Sequence, residues 1–159
     1  MPDEGRPDEG RPDEGRPDDR LRVSSGSPWE PVIGFSRAVR VGDRVLVAGT
    51  APVWPDGSCP ADPAEQARRC LEIITAALAD AGATVADVVR TRIYLTDPND
   101  VRAVGEVHGR LFAGARPAAT IVAVAALADP RWKVEIEAEA VVSEAVVSEA
   151  VVGGSGDAG

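Results

Sequence analysis

A chain of 159 residues is long enough for one domain with a sizeable core, and 44% hydrophobic with 27% charged residues is the balance of a soluble globular protein. No apolar run reaches the roughly 18 residues of a membrane span, and the opening MPDEGRPDEG lacks the apolar centre of a secretory signal, so a cytoplasmic chain without a membrane partner is expected. The formal charge of −9 belongs mostly to the ends: residues 1–20 hold eight acids and four arginines, residues 143–159 three acids and no base, and the stretch between carries only −2. Such a near-neutral centre, poor in aromatics, offers no electrostatic footprint for nucleic acid.

Residues 1–20 repeat PDEGR with no large apolar side chain, so nothing offsets the entropy of ordering them and a disordered tail is expected. The domain is expected over residues 21–142. FSRAVRV (35–41) and VLVAG (45–49) read as strands joined by the hairpin turn Gly42-Asp43. Asp62-Pro63-Ala64-Glu65 gives an N-cap, a proline at the first helical position and an acid in the first turn. Ala67, Cys70, Leu71, Ile74, Leu78 and Ala81 then recur at helical spacing until Gly82. VVRTRIYLT (88–96) reads as a strand, and Asp97-Pro98 as the start of a second helix to about Phe112, with Val101, Val104, His108 and Leu111 on its apolar stripe. Residues 120–127 and 132–142 read as the last strands. In VEIEAEAV the even positions are apolar while Glu135, Glu137 and Glu139 share the other face, with Arg90 and Arg92 as candidate partners. Residues 143–159 repeat VVSEA and end in Gly and Ser, a low-complexity tail whose valine pairs suit either a prolonged strand or a loose helix. The order ββαβαββ is an α+β pattern with two helices on one face of one sheet. Two cysteines and one histidine are too few for a zinc site, so no metal and no cofactor is expected.

The pieces IGFSRAVRVGDRVLVAGTAP, AEQARRCLEIITAALADAGATVADVVRTRIYLTD, RPAAT and VEIEAEAV, in this order, make the chain resemble the reactive intermediate deaminase (YjgF/RidA-like) family over about 120 residues. The resemblance implies a chorismate-mutase-like fold and a homotrimer with small-molecule clefts between subunits. It also implies hydrolysis of 2-imino acids, or their enamine tautomers, to 2-keto acids and ammonia.

Against that family pattern the chain has lost polar anchors. The arginine that grips the substrate carboxylate in imine-hydrolysing members is Ala119, followed by Thr120. The tyrosine of the opening motif is Phe35, the serine of the SGQ-like turn is Ala48, and the asparagine of the second helix is Gly105. Arg116, three residues before Ala119, either swings a guanidinium into the vacated volume or is a solvated arginine. Glu135 matches the glutamate that handles the proton of the hydrolytic water, or is a cleft carboxylate paired to arginine; Arg92 is a candidate assistant. His108 is either a structural helix residue or a catalytic group lining the altered pocket. Trp132 is either a core or interface aromatic or a pocket wall. Three functions follow. The first is an arginine-less enzyme for an imine, enamine or activated carbonyl larger than 2-iminobutanoate. The second is a non-catalytic ligand-binding trimer, and the third, least supported, a ribonuclease or translation inhibitor. Because neither tail contributes a core residue, deleting residues 1–20 and 153–159 is expected to leave the melting temperature and solubility almost unchanged in a thermal scan.

Overall fold

The computed structural model describes residues 19–143. The expected tails therefore lie, except for Asp19, Arg20 and Ser143, outside the described residues. The elements are β1 (Leu21–Val23), α1 (Trp29–Ile33), β2 (Ala38–Val41), β3 (Arg44–Thr50), α2 (Pro63–Asp80), β4 (Val88–Leu95), α3 (Val101–Leu111), β5 (Ala118–Ala123) and β6 (Val134–Val141). The strands form one sheet in the order β1-β2-β3-β6-β4-β5, antiparallel except where β5 runs parallel to β4. The α+β fold with helices on one sheet face is the expected one, framed at its start by β1 and α1. Those two elements, three and five residues long, carry too little periodicity to be read from sequence.

Sequence chemistry explains the main boundaries. At Gly42, φ is 60°, the left-handed geometry a tight β2–β3 hairpin needs. Asp62 caps α2 by accepting from the Ala64 N–H at 3.1 Å, with Pro63 at the first helical position. At its other end the chain turns through Gly82 at φ 75°, and the Arg40 guanidinium of β2 donates to the carbonyls of Ala81 and Gly82 at 3.0 and 3.1 Å. Those are helix-end acceptors that would otherwise lack a donor. The α2 stripe of Ala67, Cys70, Leu71, Ile74, Ala77 and Leu78 is buried against β3 and β6. Val45, Val47, Ile93, Leu95, Val134, Ile136, Ala138 and Ala140 meet it from the sheet. Burying a side chain such as Ile74 or Leu78 contributes roughly 1.5–3 kcal/mol.

Three details differ from expectation. A single 3-10 turn, Pro98–Asp100, precedes α3, so the helix enters in a different rotational phase. Val104, Val107 and the following Phe112 are buried, whereas Val101 and Leu111 are exposed and His108 only half-buried. Trp132 lies in the turn before β6, not in the strand, its N–H donating to the Asp129 carbonyl at 3.0 Å. Strand β5 ends at Ala123, short of Leu127.

Helix α1 is fastened by Glu30, which is 8% exposed. Its carboxylate accepts from Ser24 Oγ at 2.5 Å, Ser25 Oγ at 2.6 Å and the Ser25 N–H at 2.8 Å. These hydrogen bonds, with Arg37 adding attraction, hold its pKa at about 2, below the usual 4.5. The Glu30 carbonyl in turn receives the N–H groups of Gly34 and Phe35, so this clasp positions Phe35. Because the folded pKa is depressed, the stabilisation is complete above pH 4.5 and disappears as pH falls toward 2. Glu30→Gln is expected to lower the melting temperature at pH 7 and to flatten its acid limb, the two proteins converging near pH 2. A parallel pair of melting-temperature profiles from pH 7 to pH 2 would show that Glu30 is not a clasp.

Candidate functional site

Strand β6 is central, flanked by β3 and β4. Its even residues enter the helix-covered core, so Glu135, Glu137 and Glu139 project from the opposite, open face. Arg90, Arg92 and Tyr94 of β4 lie in register with Glu139, Glu137 and Glu135. Arg92 Nη1 binds Glu137 at 2.5 Å and Glu139 at 3.2 Å, and Arg44 reaches Glu139 at 3.5 Å. Hydrogen bonding to Glu137 raises the Arg92 pKa, so this guanidinium is permanently charged and engaged. Phe35, Ser36, Val39, Leu46, Ala48, Arg90, Arg92, Glu137 and Glu139 are among the residues lining an open cleft of about 490 Å³ on this face.

Glu135 is held differently. Between Val47 and Thr50 the β3–β6 register shifts, so Ala48 and Gly49 bulge opposite the glutamate strand. A Cβ placed on Gly49 would stand 2.4 Å from Glu135 Oε1: the carboxylate occupies the space a side chain would need. Arg37 closes the bulge, donating from Nη1 to Thr50 Oγ1 and from Nη2 to the Gly49 carbonyl, both at 2.9 Å. Its buried Nε has no partner among the described residues. Burial pushes the Glu135 pKa up, the nearby Arg37 charge pulls it down, and Glu137 adds a smaller upward push. A half-buried carboxylate raised toward neutrality and fixed beside a backbone bulge is suited to accept and return a proton.

His108 belongs to the other face. Its Nε2 lies 2.8 Å from Thr91 Oγ1, and its ring packs on Phe112 with centroids 4.6 Å apart. Thr91 is buried on the helix side of β4, so within one chain His108 and Glu135 stand on opposite faces of the sheet. Burial lowers the His108 pKa, leaving the imidazole neutral at pH 7. Gly105 is one turn earlier on α3, and a Cβ there would meet nothing within 4 Å, so its missing side chain leaves open space. Ala119 pairs in register with Thr91 and therefore shares the His108 face, while Thr120 pairs with Arg92 and shares the face of the glutamates. Both are exposed on the edge strand β5. Arg116 is exposed and has φ 45°, its N–H closing a turn on the Phe112 carbonyl at 2.8 Å. Strand alternation thus does not extend back to it. Trp132 is half-buried before β6.

The structure therefore gathers Phe35, Arg92 and Ala48 at the open cleft, Glu135 at the adjoining bulge, and Gly105, His108 and Ala119 on the far face. Sequence reasoning missed Arg37 and Gly49. Arg37 has the alternation of an ordinary hairpin residue, whereas Gly49, within the recognised turn, could have been singled out as a place of close approach. Both thiols have raised pKa values from burial, Cys70 very strongly, which makes neither a candidate nucleophile. Among the described residues there is no metal-binding group of His, Cys, Asp and Glu, and no helix long and apolar enough to cross a membrane.

Only the mobile end of a side chain opposes a methyl group at position 49, so Gly49→Ala is expected to cost little stability while displacing the Glu135 carboxylate. A melting temperature within a few degrees of wild type, together with a Glu135 carboxylate resonance shifted in a 13C NMR pH titration, is the expected result. An unchanged titration would mean that Gly49 does not set the carboxylate's place.

The sequence and the fold are shared with known proteins. The family model described as endoribonuclease L-PSP matches residues 26–142. Rv2704 from Mycobacterium tuberculosis, described as a member of the YjgF/YER057c/UK114 family, has a similar crystal structure. Its TM-score is 0.72 at 51% identity, over 77% of this chain and 99% of that one. Escherichia coli TdcF, solved with bound serine, superimposes with a TM-score of 0.65 at 33% identity over 77% of this chain and 94% of its own. A RutC family protein of Pyrococcus abyssi is 38% identical over 114 residues, 70% of this chain and 87% of the relative. With a family match spanning nearly all of the folded domain, and relatives covered almost end to end, the chain belongs to the endoribonuclease L-PSP family, the YjgF/RidA-like proteins.

Proposed function

We propose that this protein hydrolyses the imine or enamine of a small carbonyl metabolite, with Glu135 as the proton-transfer group, and that it handles 2-iminobutanoate poorly. The observation that carries the reading is the half-buried Glu135 carboxylate, its pKa raised by burial, lying in the space left by Gly49 and near the charge of Arg37. Starting from a protonated imine, water adds its oxygen to the carbon and gives one proton to Glu135, leaving a neutral carbinolamine. Glu135 returns that proton to nitrogen. The C–N bond then breaks with its electron pair leaving on nitrogen, the hydroxyl proton passes to the departing ammonia, and a keto compound and ammonium remain. The serine bound in the TdcF structure supports a small polar ligand in a relative, and the near-neutral domain favours such a ligand over RNA.

The working unit in this reading is a cytoplasmic homotrimer whose clefts bring the Glu135 face of one subunit to the His108 and Ala119 face of its neighbour. The open glutamate face and the exposed strand β5 support such a contact. A second reading, a ligand-binding trimer without turnover, draws on the apolar Ala119 and Phe35 and the missing side chain at Gly105.

One experiment separates them. An amino-acid oxidase supplies 2-iminobutanoate, keto-acid release is followed against semicarbazone formation, and sedimentation equilibrium reports the assembly. The wild type is expected to sediment as about three chains and to be slow on this substrate. Ala119→Arg should restore a charge-assisted contact worth about 1.5–3 kcal/mol, roughly tenfold to a hundredfold in rate, with Phe35, Ala48 and Gly105 limiting the recovery. Glu135→Gln should abolish that gain. Activity in Ala119→Arg that persists without Glu135 would move the catalytic group elsewhere, and a monomer would remove the shared cleft.

A further inference from the structure

The outer surface of the helix layer holds a groove that the hydrolase reading does not use. It has a volume of about 660 Å³ and runs between α2 and α3, lined by Leu71, Thr75, Ala76 and Ala79 of the first helix and Val107 and Leu111 of the second. The Thr75 hydroxyl is committed to its own helix, donating to the Leu71 carbonyl at 2.8 Å, so the floor is apolar in character. Charge sits at the rim. Glu72 is paired with Arg69 at 3.2 Å, whereas Arg68 and Arg110 are exposed and make no hydrogen bond or ion pair among the described residues. An apolar channel flanked by two unpaired arginines suits an apolar segment that carries acid groups.

The chain supplies such a segment beside this groove. Ala140 of β6 pairs with Val88, where the chain re-enters the sheet after α2, and with Val45 of β3. Val45 also faces Arg40, whose guanidinium holds the Ala81 and Gly82 carbonyls at the C-terminal end of α2. Strand β6 therefore ends beside the end of α2, at the Ala79 mouth of the groove. Beyond it the sequence reads SEAVVSEAVV over residues 143–152, with Val146, Val147, Val151 and Val152 as apolar pairs and Glu144 and Glu149 as the only charges. Residues 143–145 supply about 10 Å of chain to reach the mouth, and residues 146–152 can extend over about 23 Å, against roughly 16 Å from Ala79 to Arg68 along α2. We propose that residues 146–152 of the same chain seat in the α2–α3 groove, the valines on its apolar floor and Glu149 toward Arg68 and Arg110. This contact lies on the side of the sheet opposite Glu135, so it stands or falls independently of imine turnover. It also stops short of residue 153, where the truncation expected to be neutral begins.

The test is paramagnetic relaxation measured by NMR on the full chain. Cys59→Ser removes the half-buried thiol, Cys70 is buried, and Ala150→Cys then carries a nitroxide. The nitroxide is expected to broaden the amide signals of Thr75, Ala76, Ala79 and Leu111 selectively. Adding Val147→Asp and Val151→Asp should restore those signals at an unchanged melting temperature, and Glu149→Lys should restore them in part. Ala76→Arg, which fills the groove from an exposed helix position, should relieve the broadening of Thr75, Ala79 and Leu111 as well. Absence of selective broadening would overturn the proposal, as would broadening centred on strand β5 or broadening that survives the valine substitutions. In samples where nitroxide and isotope are carried by different chains, broadening of the same signals would overturn it too, by giving the groove to a second copy.

Discussion

The alternation of strand β6 is the constraint on which the rest of this molecule depends. Val134, Ile136, Ala138 and Ala140 bury one face against α2, and the same backbone must then present Glu135, Glu137 and Glu139 on the other. A one-residue slip would exchange carboxylates for core and is excluded by the cost of burying charge. The central position of β6, between β3 and β4, places those carboxylates where side chains from both neighbours must answer them. Arg92 and Arg44 do so as partly exposed pairs, which order the surface more than they stabilise it. Glu135 is answered by backbone geometry, a bulge and a glycine.

This division explains how one sheet supports both fold and site. The helix-covered face is conventional packing, tightened at its margins by polar fasteners. Gln66, buried at the start of α2, donates to the carbonyls of Pro60 and Arg131 and accepts from the Lys133 N–H, tying the loop before α2 to the approach of β6. Arg40 does the same at the other end of α2. With both ends of the helix fixed to the sheet, the strand bearing Glu135 has little freedom to shift its register.

Much of this was legible in local sequence. The Gly42 hairpin, the Asp62-Pro63 cap, the Gly82 stop and the β6 alternation each rest on signals within a few residues, and each is found in the structure. What escaped depends on side-chain pairings and backbone geometry that composition and periodicity do not mark. Helix α1 holds together because Glu30 finds Ser24 and Ser25, and five residues interrupted by Pro31 carry no periodicity. The stripe of α3 was misplaced because the 3-10 turn at Pro98–Asp100 rotates the helix entering behind it. At the site, Glu135 could be found through family resemblance and alternation. That Gly49 and Arg37 flank it could not, because the register shift between Val47 and Thr50 has no marker in composition.

Strand β5 carries a consequence of another kind. All six of its residues are exposed, and among the described residues only one of its edges is hydrogen-bonded, to β4. Its free edge is a row of amide donors and acceptors beside Ile121 and Val122, both substantially bare. Such an edge is a template for another strand, native or not. For a newly made chain, the time during which this edge stays bare is then an interval of exposure to misassociation. Expression level and temperature during synthesis then bear on how much of this protein reaches a usable state.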